Sequence, residues 1–314
     1  MTQKQPQEAH LYILFIISLL LAGFGWLFVR VQLTYMPADL AVCYRFFLSG
    51  VGLLLFSYLK GEKFQGFPFK KLPWLMGFAL TYYYLNVACS YQAVAYLPSG
   101  IVALGISMIM VPSSILESLW HRTPIDKVIL FAGLLSFIGL FFALDNDNSF
   151  LTLDLSPQEL IGWGFIVLCL IFASFGSLFA VHLKHMPFTI IQGTAYGLLT
   201  GATLNAFFYF LSGRSFLWTW EPDFLISLFY MSAFVSGFVF VCFNYFLKAW
   251  GIGRSNYFFV LLPLVAMNAS ALFEGMVWTL PRIFGTCLVL LSGFIVLKSK
   301  FRSRNISNDA KSSS

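Results

Sequence analysis

Arg45 interrupts the apolar run Leu40-Ala41-Val42-Cys43-Tyr44, which resumes as Phe46-Phe47-Leu48. Its planar fork of donors suits a carboxylate held in two hydrogen bonds. Three arrangements would satisfy it: a solute carboxylate, the nearby Asp39, or a side chain that reaches back to water at the end of its helix. A second group follows at Thr81, Tyr82, Tyr83, Tyr84, Asn86, Ser90, Tyr91 and Gln92. At helical spacing Tyr82 and Tyr83 lie four and three residues before Asn86, and Ser90 four after it, which predicts one shared face. Phenol faces and an amide on such a face would line a cavity for an apolar or aromatic solute, or else bond to neighbouring helices. Tyr196, Asn244 and Tyr257 are further candidates for that lining, with packing as the alternative. These residue types suit binding rather than covalent chemistry. HExxH and GxSxG are absent, and Cys43, Cys89, Cys169, Cys242 and Cys287 stand singly without ligand-spaced histidines. The expectation is therefore no catalytic residue, no cofactor and no metal.

The elements that carry these residues follow from composition. With 59% of residues apolar and 10% charged, the chain has too little polar surface to cover a water-soluble globule. A bilayer core about 30 Å thick needs roughly 20 apolar residues per helical crossing. Ten stretches meet that need: 11–30, 38–59, 72–95, 99–120, 127–144, 159–181, 188–211, 224–247, 255–274 and 279–298. A membrane barrel would instead alternate apolar and polar residues in short segments. The class predicted is all-α integral membrane, with connections too short for an extramembrane domain. Trp26, Trp74, Trp120, Trp218, Trp220 and Trp278 near the stretch ends read as an interfacial belt.

Charge orients the chain. Lys4, Lys60, Lys63, Lys70, Lys71, Arg122, Lys127, Lys184, Lys248, Arg254 and the tail residues Lys298, Lys300, Arg302, Arg304 and Lys311 share one side, against Arg30, Arg214 and Arg282 on the other. The positive-inside rule then puts both termini in the cytoplasm of a multi-pass protein. The net charge of +6 reports topology and attraction to anionic lipid, and no nucleic-acid motif accompanies it.

Ala22-Gly23-Phe24-Gly25-Trp26-Leu27-Phe28 recurs as Ala173-Ser174-Phe175-Gly176-Ser177-Leu178-Phe179, and Met36-Pro37 as Met186-Pro187, at offsets of 151 and 150. Near-constant spacing predicts a duplicated unit: residues 1–150, residues 151–300, and a basic and polar cytoplasmic tail at 301–314. Five helices per unit is an odd number, so the second unit starts on the opposite side of the membrane and the halves are inverted. Inverted halves give a carrier two states from one architecture. Gly193, Gly197 and Gly201, four residues apart, predict a close helix approach along the seventh stretch.

Leu262-Pro263-Leu264-Val265-Ala266, Phe273-Glu274-Gly275, Gly285 and Leu291-Ser292-Gly293 resemble the drug/metabolite transporter superfamily, in particular its EamA-type members of ten helices in two inverted halves. The chain departs from that pattern in its first half. Where the family often has a glutamate ending the fourth helix, this sequence has His121-Arg122, with Glu117 a turn earlier. Glu117 and Glu274 both fall near helix ends, where bracing is the simplest role and a gating or substrate role the alternative. The resemblance implies a secondary transporter, exporter or exchanger, of a small organic metabolite such as an amino acid. It also implies a bacterial inner membrane, a small-molecule substrate and lipid as partners, and it is compatible with a homodimer. A non-transporting scaffold or receptor, and an intramembrane enzyme, are the competing classes.

Overall fold

The computed structural model describes residues 5–64, 69–120, 122, 124–125, 127–143, 156–182, 188–255 and 257–312. Ten helical rods fill them, and no strand occurs among the described residues. We number them α1 (Gln5–Tyr35), α2 (Ala38–Leu59), α3 (69–96), α4 (Ser99–Trp120), α5 (Lys127–Ala143), α6 (Pro157–His182), α7 (Ile190–Leu211), α8 (222–255), α9 (Tyr257–Phe273) and α10 (Leu280–Ser312). Five stretches, in α1, α2, α4, α6 and α8, are both long and apolar enough to cross a membrane by themselves. Large side chains such as Phe47, Leu55, Phe131, Phe137, Val167, Phe207 and Phe229 point outward, where lipid is the matching solvent.

The breaks have local causes. Pro37 and Pro98 hold extended backbone (ψ of 143° and 139°) immediately before α2 and α4, and Pro222 opens α8 at its first turn, positions where a missing N–H costs nothing. Gly61, Gly213 and Gly275, with φ of 72°, 76° and 72°, terminate α2, α7 and α9 in the left-handed conformation that glycine adopts without penalty. Pro112 cannot donate to the carbonyl four residues back, and α4 is interrupted there, at Met108–Ile109.

Two rods depart from the α period. Residues 79–85 of α3 and 230–239 of α8 wind as π-helix, so each turn there takes up extra chain and the facing of side chains shifts. The connection at 145–158 and the Met186-Pro187 repeat lie mostly or wholly outside the described residues.

Packing follows a regular scheme. α1 packs on α8 and α9, α6 packs on α3 and α4, α2 crosses α7, α4 lies on α9, and α5 on α10. Exchanging α1–α5 with α6–α10 returns the same set of pairs. Glycines recur at matching contacts: a Cβ on Gly25 of α1 would meet Val235 in the π-helical part of α8, and a Cβ on Gly176 of α6 would meet Tyr82 in the π-helical part of α3. Gly197 and Gly201 are both filled by Tyr83, as the glycine spacing predicted, but Gly193 faces open space. The close approach is thus made by a tyrosine ring at two positions, rather than by a helix backbone at all three.

Candidate functional site

Four polar side chains meet where α1, α2, α3 and α8 converge. Arg45 donates from Nε to Ser236 Oγ (2.6 Å) and from Nη1 to Tyr91 Oη (3.2 Å); Tyr91 Oη donates onward to Gln32 Oε1 (2.7 Å). The set is sealed from solvent: Arg45 is 6% exposed, Tyr91 1%, and Gln32 and Ser236 0%. The guanidinium also stands 5.3 Å from the centre of the Phe46 ring. Arg45 lies seven residues into α2, or about 10 Å along the helix axis.

The chemistry of this cluster is unbalanced in one direction. Two ion pairs, Arg30 with Glu274 and Arg214 with Asp39, lie elsewhere, and neither reaches Arg45. The Asp39 partnership considered from sequence is therefore taken by Arg214, at 3.6 Å. Gln32 Nε2, Ser49 Oγ and Ser232 Oγ are buried without a hydrogen-bond partner. Ser49 is one turn beyond Arg45 on α2, and Ser232 one turn before Ser236 on α8. Buried polar atoms without partners are costly and rare, and a cationic side chain in a span costs roughly 2.5–3.5 kcal/mol on insertion scales unless paired.

The remaining predicted residues do not join this cluster. Tyr82 and Asn86 turn toward α6: Tyr82 fills the space at Gly176, and Asn86 Oδ1 accepts from Cys169 Sγ (2.8 Å) while its Nδ2 donates to the Tyr82 carbonyl (3.2 Å). Tyr83 turns the other way, onto Gly197, Gly201 and Phe46. The single face predicted for Tyr82, Tyr83 and Asn86 is thus split, because the π-helical winding at 79–85 removes the spacing on which it rested. Ser90 Oγ donates to its own helix at Val87 O (2.7 Å). Tyr196 packs on Phe188, and Asn244 joins α8 to α7 through Thr194 Oγ1 (3.1 Å). Tyr257 lines a small cleft of about 230 Å³ with Tyr12, Phe15 and Trp250, at the end of the bundle that carries Lys60.

Gln32 and Ser236 were missed from sequence. Gln32 fell beyond the predicted end of the first stretch at residue 30, whereas α1 continues to Tyr35. Ser236 is one of several serines in α8 that sequence alone does not separate. Tyr91 was visible in the polar stripe, and only its distance to Arg45 singles it out.

Two clusters brace the ends of the rods. At the end that carries Pro37, Glu274 Oε1 pairs with Arg30 Nε (3.3 Å), and Glu274 Oε2 accepts from Ser99 N (3.0 Å), Ser99 Oγ (2.9 Å) and Ser270 Oγ (2.5 Å). Arg30 Nη2 donates to the carbonyls of Val94 and Leu97. One carboxylate so caps α4 and fastens it to α1 and α9. At the opposite end, Glu62 Oε2 accepts from Thr189 Oγ1 (2.6 Å) and Ser57 Oγ (2.8 Å), and Gln192 Nε2 donates to Ser57 Oγ (3.0 Å). These bonds, from Thr189 first and Ser57 second, hold the Glu62 carboxyl below the usual glutamate range. Glu117 lies exposed on α4, and His121 is outside the described residues.

Comparison with known proteins bears on this architecture. Residues 10–144 match the model of the EamA-like transporter family. A crystal structure described only as that of a protein is similar at 13% identity with a TM-score of 0.65, covering 95% of this chain and 99% of that chain; at that identity the likeness shows the fold alone. No curated protein sequence matches the chain.

Proposed function

We infer, from the match of residues 10–144 to the EamA-like transporter family together with the ten-helix fold, that the chain is a member of that family, within the drug/metabolite transporter superfamily, and a multi-pass membrane transporter. On that basis it is a secondary carrier, an exporter or exchanger of a small organic metabolite, working by alternating access between two inverted five-helix halves, residues 1–150 and 151–300, in a bacterial inner membrane. Both termini are cytoplasmic in this reading, which makes the Pro37 end of the bundle external.

The observation that carries it is the Arg45 cluster. It is built from three helices of the first half and from α8 of the second, so a rocking of one half against the other opens or closes it. That is the behaviour required of a solute site between inverted repeats. Two further observations support the arrangement: packing pairs that survive exchange of the halves, and bracing clusters that cross between halves at both ends, Arg30 with Glu274 and Glu62 with Thr189. A carrier has to release one of these while it keeps the other.

Single cysteines introduced near residue 3, residue 150 and residue 310 of a cysteine-free parent, labelled with a membrane-impermeant maleimide in intact spheroplasts, test the topology. Labelling at 150 alone is expected. Labelling at all three positions, or at none, contradicts inverted halves.

A further inference from the structure

We propose that the Arg45 cluster is an anion subsite for an organic monocarboxylate with an apolar body and no free ammonium group. This rests on the carrier reading above, which it sharpens from a small metabolite to a charge class.

The positive charge is the first ground. Arg45 spends Nε on Ser236 and Nη1 on Tyr91, both neutral, and has no carboxylate within ion-pair distance among the described residues. One unbalanced guanidinium matches one negative charge. A phosphate dianion would call for a second cation, and the nearest candidate by sequence on α1, Arg30, is committed to Glu274.

The unpaired donors are the second ground, independent of the charge. Gln32 Nε2, Ser49 Oγ and Ser232 Oγ are buried with no partner. Tyr91 uses its hydroxyl hydrogen on Gln32 Oε1, which fixes the amide so that Nε2 is the end left over. A Cβ placed on Gly237 would stand 3.5 Å from Ser49 Oγ, an ordinary contact distance, which places Ser49 of α2 beside the π-helical part of α8 that carries Ser232 and Ser236. The set offers donors from α1, α2 and α8 to an acceptor-only group, which is what a carboxylate is.

The third ground is what surrounds these donors. Val29, Val42, Phe46, Met231 and Val235 are buried in the same core, which fits an apolar body. No Asp or Glu is present between residues 10 and 35 of α1, between residues 40 and 59 of α2, within α3, or between residues 224 and 255 of α8. An amino-acid ammonium would therefore enter without a counter-charge on these stretches, and its desolvation would go unrepaid.

Detergent-purified full-length protein is titrated, by thermal unfolding, with 3-phenylpropionate, 3-phenylpropanol, phenylalanine and inorganic phosphate. The acid is expected to raise the melting temperature more than the other three. Arg45→Gln should weaken that binding by roughly tenfold to a hundredfold, the span expected for losing a charge-assisted bond. Arg45→Lys, which keeps the buried charge, and Gln32→Ala serve where Arg45→Gln does not fold, and each should weaken the acid selectively. Equal stabilisation by the alcohol, by phenylalanine or by phosphate overturns the proposal, as does no response to the acid. Failure of the carrier reading is seen separately: proteoliposomes that pass no acid, neutral or cationic solute faster than protein-free vesicles refute transport, whereas flux of a neutral or cationic solute unaffected by Arg45→Gln refutes the anion subsite alone.

Discussion

Glu274 of α9 and Arg30 of α1 stand 3.3 Å apart, and the same carboxylate caps the first turn of α4 through Ser99. Four groups converge on one side chain: a guanidinium, a backbone amide and two serine hydroxyls. The Glu274 side chain is 7% exposed while that of Arg30 is 44% exposed, so the anion is the buried partner and the cation the one that can swing toward water. In a carrier this is the contact that must part when the Pro37 end opens.

Glu274→Gln should therefore shift the protein toward the state open at that end. Ile101 lies behind the cap and is buried. In a cysteine-free parent, Ile101→Cys should react with an impermeant maleimide several-fold faster when Glu274→Gln is added, on the order of tenfold for each 1.4 kcal/mol of bracing lost. An unchanged rate would make the contact a static brace.

Glu62 at the opposite end gives a pH dependence whose sign is fixed. Its folded-state carboxyl is held below the ordinary value by Thr189 and Ser57, so the stability it contributes is present above the ordinary glutamate range and is lost as pH falls through the lowered folded value. Thermal unfolding followed from pH 7 downward should show this contribution at neutral pH and lose it only in the acid range. Thr189→Val removes the strongest bond to Glu62, together with the cap that Thr189 supplies to Gln192 N. It should lower the stability at neutral pH by about 1 kcal/mol for the cap, read as a lower midpoint, and flatten the acid limb.

The crossing of α5 and α10 admits no extra atom. A Cβ on Gly285 would meet the Gly139 carbonyl and the Ala143 amide, both backbone, and one on Gly139 would meet the Gly285 carbonyl. Gly285→Ala should destabilise by about 1–3 kcal/mol, read as loss of monodisperse protein on heating in detergent. Gly193→Ala and Gly164→Ala, where a Cβ meets nothing within 4 Å, should be neutral or slightly stabilising.

The ten rods were legible because each crossing must present a long apolar run to lipid, and that requirement is written residue by residue. α2 begins and ends where the sequence put it, at residues 38 and 59. Boundaries failed where amphipathic ends extend the helix past the apolar run: α1 continues to Tyr35, and α10 runs through the expected tail to Ser312. Arg45 announced itself as a charge among apolar neighbours. Its partners did not, since Gln32, Tyr91 and Ser236 come from three other helices and contact at that range is not a property of local pattern. The stripe on α3 divides for a definite reason: the i, i+3 spacing shares a face only at the α period, which residues 79–85 do not keep, so Tyr83 leaves the side that Tyr82 and Asn86 still share.

Solute is expected to cross at a site between the halves that contains Arg45. Proteoliposomes holding purified parent protein, loaded with a mixed panel of small carboxylates, amino acids and neutral metabolites, measure it directly by counting what leaves. At least one carboxylate should leave faster than from protein-free vesicles, and Arg45→Gln and Arg45→Lys should each slow that flux, Arg45→Gln by roughly tenfold or more, while both proteins remain folded and monodisperse. Release of that carboxylate at the parent rate from either variant would contradict it.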